Sequence, residues 1–420
     1  MKTSLITGIF FLLVPSLTVA ADWPGFRGPS GDGQTTARNV PVSWSSEENI
    51  RWQIELPGQN NGSPIVSADR VFLTSAEDDG QQRHLHCINA DDGSTLWLRT
   101  ARFDRKMPTH KTNLYGGTTP ATDGHRVVVW HGSAGLYCYD LDGNQQWKRD
   151  LGEFRHQWGY GTSPVLHDGR VILHSGPGQN VFVAAFDLSN GETVWSTEEP
   201  VENDGERNDA NKYMGSWSTP VVARVDEQDM IVCSMATRVN GYDPKTGAIL
   251  WTCTGLRGER GDLAYTSPII AGDICVAMGG FKGPAIGFRM RGSGDITDSM
   301  RLWRQDRNNP QRIGSGVHVD GHIYMTNAGP NTIECLDPAT GTVLWQERAP
   351  GGAHWGSLIH AEGRLYATDQ DNMTTVMEPD STGLKVISKN RLNDAGNSTP
   401  AIVDGAVYIR SFRHIYRIGK

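Results

Sequence analysis

The sequence predicts an all-β protein: an eight-bladed β-propeller of four-stranded antiparallel blades, closed by an N-terminal strand that completes the last blade. The first observation is a phrase that recurs along the chain, an apolar run followed by an Asp or Asn, a Gly, and a Trp four residues after that Gly. It reads Asn89…Gly93…Trp97, Asp140…Gly143…Trp147, Asp187…Gly191…Trp195, Asp243…Gly247…Trp251 and Asp337…Gly341…Trp345, with degenerate copies ending at Trp303 and near Ser388. A spacing of about 48 residues marks a repeat architecture, in which units too small to bury their own faces pack on one another. The second observation is a set of eight short apolar strands, each after a turn: Val71–Thr74, Val127–Trp130, Val171–His174, Ile231–Ser234, Ile274–Ala277, Ile323–Thr326, Leu365–Thr368 and Val407–Ile409. The third is that the two ends complement each other. After Thr399-Pro400 only three strands remain, with no Trp, whereas Asn49–Glu55 reads as the missing fourth strand and carries Trp52. Pairing the two ends removes an exposed sheet edge.

In chain order, residues 1–21 read as a signal peptide: Lys2, an apolar core from Leu5 to Val14, Pro15, then the small residues Thr18-Val19-Ala20-Ala21 before Asp22. This predicts export, to a periplasm or outside the cell. The first cysteine is Cys87, so no lipid anchor is expected at the cleavage point. Residues 22–41 form a leader with Trp23 and Phe26, expected to lie against the body. The propeller occupies 42–420. In each repeat, strand A starts after a Ser/Thr-Pro step (Ser63-Pro64, Thr119-Pro120, Ser163-Pro164, Thr219-Pro220, Ser267-Pro268, Thr399-Pro400) or the variants Ser315-Gly316 and Gly356-Ser357. Proline at a strand's first residue removes no essential ladder bond. Strand B follows turns such as Asp123-Gly124, Asp168-Gly169 and Asp404-Gly405, which favour hairpins. Strand C ends at the Asp, and strand D carries the Trp, which is expected to fill the gap between blades. Its burial contributes on the order of 5 kcal/mol before entropy.

A hydrophobic fraction of 37% with 49 Gly and 13 Trp fits many short strands joined by tight turns. No apolar run of transmembrane length follows the N-terminus. The net charge of −8, with no Lys/Arg block, argues against nucleic-acid binding. Cys87, Cys138 and Cys335 occupy equivalent places in separate repeats and cannot pair. Cys233, Cys253 and Cys275 could include one bridge, though buried free thiols are the favoured reading. His84 and His86 share one strand face, and without a third ligand they are expected to face solvent.

The Asp-x-x-x-Gly-x-x-x-Trp phrase, the eight blades and the N-terminal closure together resemble the PQQ-like (quinoprotein-type) propeller family, over about Val42 to Lys420. That family includes pyrroloquinoline-quinone (PQQ) alcohol dehydrogenases and non-catalytic BamB-like outer-membrane-assembly propellers. The resemblance to the dehydrogenases implies adjacent cysteines over the quinone, Glu, Asn and Asp ligands for Ca²⁺, and an Asp base. The chain has no Cys-Cys pair and no Cys-x-x-Cys-His haem motif. The preferred expectation is therefore a non-catalytic, monomeric binding or scaffold protein of the BamB-like branch, without a cofactor. The alternative is a PQQ- and calcium-dependent alcohol or sugar dehydrogenase with a degenerate quinone site, drawing on Asp262 or Asp394 as base and Arg155 or Arg312 for the cofactor carboxylates.

Connections from strand D to the next strand A run from rim to centre on one face, so their last residues should ring the channel mouth. The candidate ligand-binding ring is Tyr115, Arg155, His156, Trp158, Tyr160, Trp217, Tyr265, Arg312, His354, Trp355 and Asn397. The same segments hold Asn60, Asn61, Asn113, Lys212, Tyr213, Arg260, Asp262 and Asn393. Aromatic faces for stacking, amides for polar edges and cations for carboxylates suit a hydroxyl-rich or anionic planar ligand, or a protein, peptide or glycan partner. The plainer reading makes Trp158, Trp217 and Trp355 packing residues that plug the channel.

Overall fold

The computed structural model describes residues 22–200, 205–306 and 310–419 of the chain, so the proposed signal peptide lies outside the described residues. Eight antiparallel sheets form the blades, each with strands in the spatial order A-B-C-D. In the first blade these are Ile65–Ser67, Arg70–Glu77, Gln82–Asn89 and Thr95–Arg102. In the eighth they are Ala401–Val403, Ala406–Arg410 and His414–Gly419, with Ile50–Glu55 as the fourth strand. Ile50 pairs with Ile418 and Glu55 with His414, so the predicted closure is observed. Burial falls from hub to rim. Val127 to Trp130 are buried on both faces between neighbouring blades, whereas Thr95–Arg102 is largely open to solvent.

A β-bulge in strand D just before or at the Trp position recurs in every blade. A bulge re-aims the next side chain. Here it turns the indole into the Asp-to-Gly turn of the following blade. Trp52 Nε1 donates to Ala90 O (2.9 Å), Trp97 to Leu141 O (2.8 Å), Trp147 to Leu188 O (2.9 Å), Trp195 to Pro244 O (3.0 Å), Trp303 to Pro338 O (2.8 Å) and Trp345 to Asp380 O (2.9 Å). The glycine of the turn is required twice over. Gly341 has φ +73°, and a Cβ there would sit 2.5 Å from Trp303 Cδ2.

Two junctions depart from the repeat. Between its third and fourth strands the fifth blade carries an insertion, in which Gly294–Asp295 adds a parallel strand to Ile249–Thr254 of the fourth blade and Thr297–Met300 forms a short helix. At the degenerate copy of the seventh blade, Ser388 Oγ donates to Val42 O, and the buried Trp44 lies beside this strand in the core. Trp44 N donates to Asn390 Oδ1 at 3.0 Å.

A ring of hydroxyls joins the blades at the hub. The backbone N–H of seven of the eight Ser/Thr at the strand A starts donates to the hydroxyl of its counterpart in the next blade: Ser63 to Thr119, Thr119 to Ser163, Ser163 to Thr219, Ser267 to Ser315, Ser315 to Ser357, Ser357 to Thr399 and Thr399 back to Ser63, at 2.9–3.3 Å. Proline after the Ser/Thr starts the strand, and the hydroxyl before it ties that strand to its neighbour.

The leader lies across the far end of the channel, where strands A turn into strands B. Trp23 exchanges both backbone hydrogen bonds with Val66 (2.8 and 2.9 Å), Pro24 O accepts from Thr122 N (2.8 Å), and Gln34–Thr35 pairs parallel to Ile359–Ala361 of the seventh blade. Arg27 is buried and donates to Gly316 O and Asp32 O. All six cysteines are free and buried. His84 and His86 are also buried, contrary to the expectation of solvent exposure. Strand Gln82–Asn89 is covered on both faces, and the imidazoles find Thr100 Oγ1 (2.9 Å) and Ser75 Oγ (2.8 Å).

Candidate functional site

At the mouth where strands D pass to strands A, the hub opens into a funnel of about 400 Å³. Trp158, Trp217, Tyr265, Trp355 and Asn397 of the sequence-derived ring line it, together with Asn61 and Asn113 from the same segments. The Ser/Thr ring forms a collar at the strand starts, and Phe26 of the leader enters from the other end.

The aromatic wall is built from one blade onto the next. Tyr213–Ser216 pairs parallel to Gly261–Ala264, so two successive D-to-A connections brace each other in a small sheet of their own. Trp158 packs tilted against Tyr213 (4.5 Å between ring centroids, 40°), meets Trp217 (5.8 Å) and lies parallel to Phe281 (6.4 Å, 10°). Trp217 donates its indole N–H to Gly159 O (3.0 Å) and takes the edge of Tyr265 (5.5 Å). Burial pushes the Tyr265 phenol up, so it stays protonated at neutral pH.

Six ring candidates do not reach the funnel, each for a local reason. Arg312 is buried against Glu334, donating from Nε (2.9 Å) and Nη2 (2.6 Å) to one carboxylate oxygen. Arg155 is exposed and faces a separate surface recess with Arg105, Lys106 and Glu153. Tyr160 is held by Arg83, whose guanidinium donates to its hydroxyl (3.0 Å). Tyr115 donates to Met107 O (2.6 Å) and packs on Gly80. His354 is fully buried, and burial pushes its imidazole down to about 4. His156 stands behind the wall: Nε2 contacts Met214 O (3.2 Å), Nδ1 accepts from Trp158 N (3.1 Å), and burial lowers its pKa. It positions Trp158 and Trp217 from behind, with its ring edge-on to Trp217 at 4.9 Å.

The cationic half of the expected site is therefore not in the funnel. No Asp, Glu, Lys or Arg lines it among the described residues. Asp262, one candidate base, is buried against Arg257 (3.1 Å) and Asn208 (2.9 Å), and Asp394, the other, is bonded to His414 (2.7 Å) and Ser411. Neither lines the funnel. Sequence reasoning missed Phe26, His110, Thr112, Phe281, Gln311, Ile313 and the hydroxyl collar. The collar had a signal in the Ser/Thr-Pro steps, and Phe281 had one in its setting, Gly279-Gly280-Phe281-Lys282-Gly283-Pro284, a turn built to project a side chain.

Eight blades, tryptophan locks between them and a funnel on the D-to-A face define a PQQ-like propeller protein. A family model described as "Outer membrane protein assembly factor BamB" matches residues 34–102, 81–297 and 293–411, and the chain belongs to that family. Among solved structures it is similar to BamB from Moraxella catarrhalis (TM-score 0.61, 16% identity, 88% of this chain and 99% of that one). It is also similar to quinohemoprotein alcohol dehydrogenase from Comamonas testosteroni (TM-score 0.68, 11% identity, 95% and 80%). A polyvinylalcohol dehydrogenase from Pseudomonas sp is 24% identical over 200 residues, 43% of this chain but only 29% of that enzyme's length. The family and its neighbours thus embrace both an assembly factor and dehydrogenases.

Proposed function

We propose that the protein is exported and acts as a non-catalytic binding or scaffold protein, receiving a ligand or partner segment in the funnel on its D-to-A face. One observation carries this reading: among the described residues the lining is mostly aromatic, amide and hydroxyl, with His110 and neither a carboxylate nor a permanent cation. A bound calcium ion draws on oxygen ligands that include carboxylates. The carboxylates of a quinone cofactor call for Arg or Lys. The funnel lining supplies neither, so the residues present do not fit a PQQ–calcium pair. The net charge of −8 supports a partner other than nucleic acid. No helix among the described residues is long and apolar enough to cross a membrane. We place the protein in a periplasm or outside the cell, as a monomer.

The similarity to the Pseudomonas polyvinylalcohol dehydrogenase motivates the competing reading, a quinone-dependent dehydrogenase. Titration of the mature protein with PQQ and Ca²⁺, following quinone absorbance and the reduction of an artificial electron acceptor by alcohols and sugars, separates the two. The scaffold reading expects no saturable quinone binding at high micromolar concentration. Tight binding with alcohol-dependent reduction would overturn it.

A further inference from the structure

We propose that the funnel is a saccharide site that takes the terminal one or two rings of an uncharged glycan chain, with leader residue Phe26 as part of its floor. This rests on the binding-protein reading and names the class of ligand.

Size comes first. A volume of about 400 Å³ lies at the small end of ordinary small-molecule sites, roughly 300–1,000 Å³. It admits a ring or two and not a folded segment. Closure follows from the leader, which crosses the hub between Val66 and His360 and sends Phe26 into the cavity. A chain can enter by its end but cannot thread through.

Chemistry selects the ligand. Trp158, Trp217, Trp355 and Phe281 are each half-buried, so each keeps surface toward the cavity. The indole N–H of Trp217 is already spent on Gly159 O, which leaves its apolar face to offer. Such faces pack against the C–H side of a sugar ring.

Below them the collar hydroxyls accept backbone N–H bonds. A hydroxyl has one proton to donate as well as lone pairs to accept with. Among the described residues these O–H groups donate to no protein acceptor, so their protons are available to ligand oxygens. Acceptors are present too. Asn113 spends its amide N–H groups on Trp158 O (2.7 Å) and Tyr160 O (3.1 Å), and Asn61 Oδ1 is buried without a partner. Both Oδ1 atoms lie 3.1 Å from the place a Cβ would take on Gly117, so bare backbone leaves a cradle between two acceptors.

Spare O–H donors and spare amide acceptors, without charge, match groups that both donate and accept, which is what a polyhydroxylated ring presents. A carboxylate or phosphate would find donors but no counter-charge, and would face the two amide oxygens. A charged peptide meets the same cost of burying an unpaired charge.

The test is titration of the mature protein, by tryptophan fluorescence and calorimetry, with maltopentaose, cellopentaose and chitopentaose. The comparison ligands are α-cyclodextrin, an oligogalacturonate and an uncharged pentapeptide. At least one linear neutral oligosaccharide is expected to bind and perturb the fluorescence, with the oligogalacturonate at least tenfold weaker. If maltopentaose binds, α-cyclodextrin is expected to be at least tenfold weaker as well. Trp355→Ala should weaken binding at least tenfold. Gly117→Ala, at a residue whose backbone accepts a side chain, should weaken it with the thermal transition unchanged, and Phe26→Ala should weaken it in the same assay. No binding by any neutral linear sugar at about 10 mM, where a site with a Kd of about 1 mM would be mostly filled, overturns the inference. Binding of the pentapeptide alone overturns it while leaving the binding-protein reading intact. Quinone-dependent turnover overturns both.

Discussion

Gly341 and Gly363 show how one residue type does two different jobs. Both have positive φ, +73° and +72°, but a Cβ at Gly341 would strike Trp303, whereas nothing lies within 4 Å of the position at Gly363. Gly363→Ala should therefore cost only the left-handed backbone penalty, about 1–2 kcal/mol. Gly341→Ala adds the displacement of an indole, and the sum should reach about 2–4 kcal/mol. Denaturant titration of the two variants checks the difference. The collar makes a similar point about hydroxyls: Thr399→Val keeps the shape but removes the acceptor for Ser357 N, a bond of 2.9 Å. Leaving that buried N–H unpaired should cost about 1–3 kcal/mol.

Histidines set the response to acid. Burial pushes His86 and His131 down to about 3, and His174 and His354 to about 4. They are neutral in the folded protein, while the unfolded chain takes up their protons near pH 6.5. Below that pH the unfolded state binds more protons, so stability falls as pH drops, by about 1.4 kcal/mol per pH unit for each histidine until its folded value is reached. The denaturation midpoint should decline between pH 6.5 and 4. His354→Leu should make that decline shallower by one proton's worth, measured at pH 7.0 and 5.5.

At the level of elements, the tryptophan lock is a joint with interchangeable parts. Where strand D of the seventh blade has Ser388, the segment Val42–Trp44 arrives from a different part of the chain and is tied to that strand, with Trp44 buried beside it. Trp44→Ala should cost about 3–5 kcal/mol, as a buried aromatic truncation does. Where the fifth blade lacks the Asp-to-Gly turn, the added strand Gly294–Asp295 covers Trp251, pairing it with Gly294. The eight blades were legible because strand period, Asp-Gly turns and the Trp phrase are all local signals. Both substitutions at degenerate joints were invisible, since each depends on a segment brought from outside the repeat it completes. The leader was expected against the body, and its position across the channel came only from pairing with Val66 and His360.

Across the whole molecule, five of the eleven ring candidates read from the sequence meet in one funnel. Trp158, Trp217, Tyr265, Trp355 and Asn397 converge because D-to-A connections must reach the hub. The basic candidates failed because a cation's direction is set by its partner. Arg312 follows Glu334, a lone acid in the fully buried strand Thr332–Leu336, and a buried acid among apolar neighbours is itself a sign that a cation is taken. What remains at the mouth is a neutral funnel in an acidic protein.

The closing strand Ile50–Glu55 has a consequence for how the molecule comes into being. Among the described residues its one sheet partner is His414–Gly419. During synthesis, Ile50–Glu55 has both edges bare until His414–Gly419, more than 350 residues later, has been made. A strand in that condition invites pairing with another chain. The interval is thus the hazardous one for this fold, and a partner that shields Ile50–Glu55 until His414–Gly419 is available would matter most there.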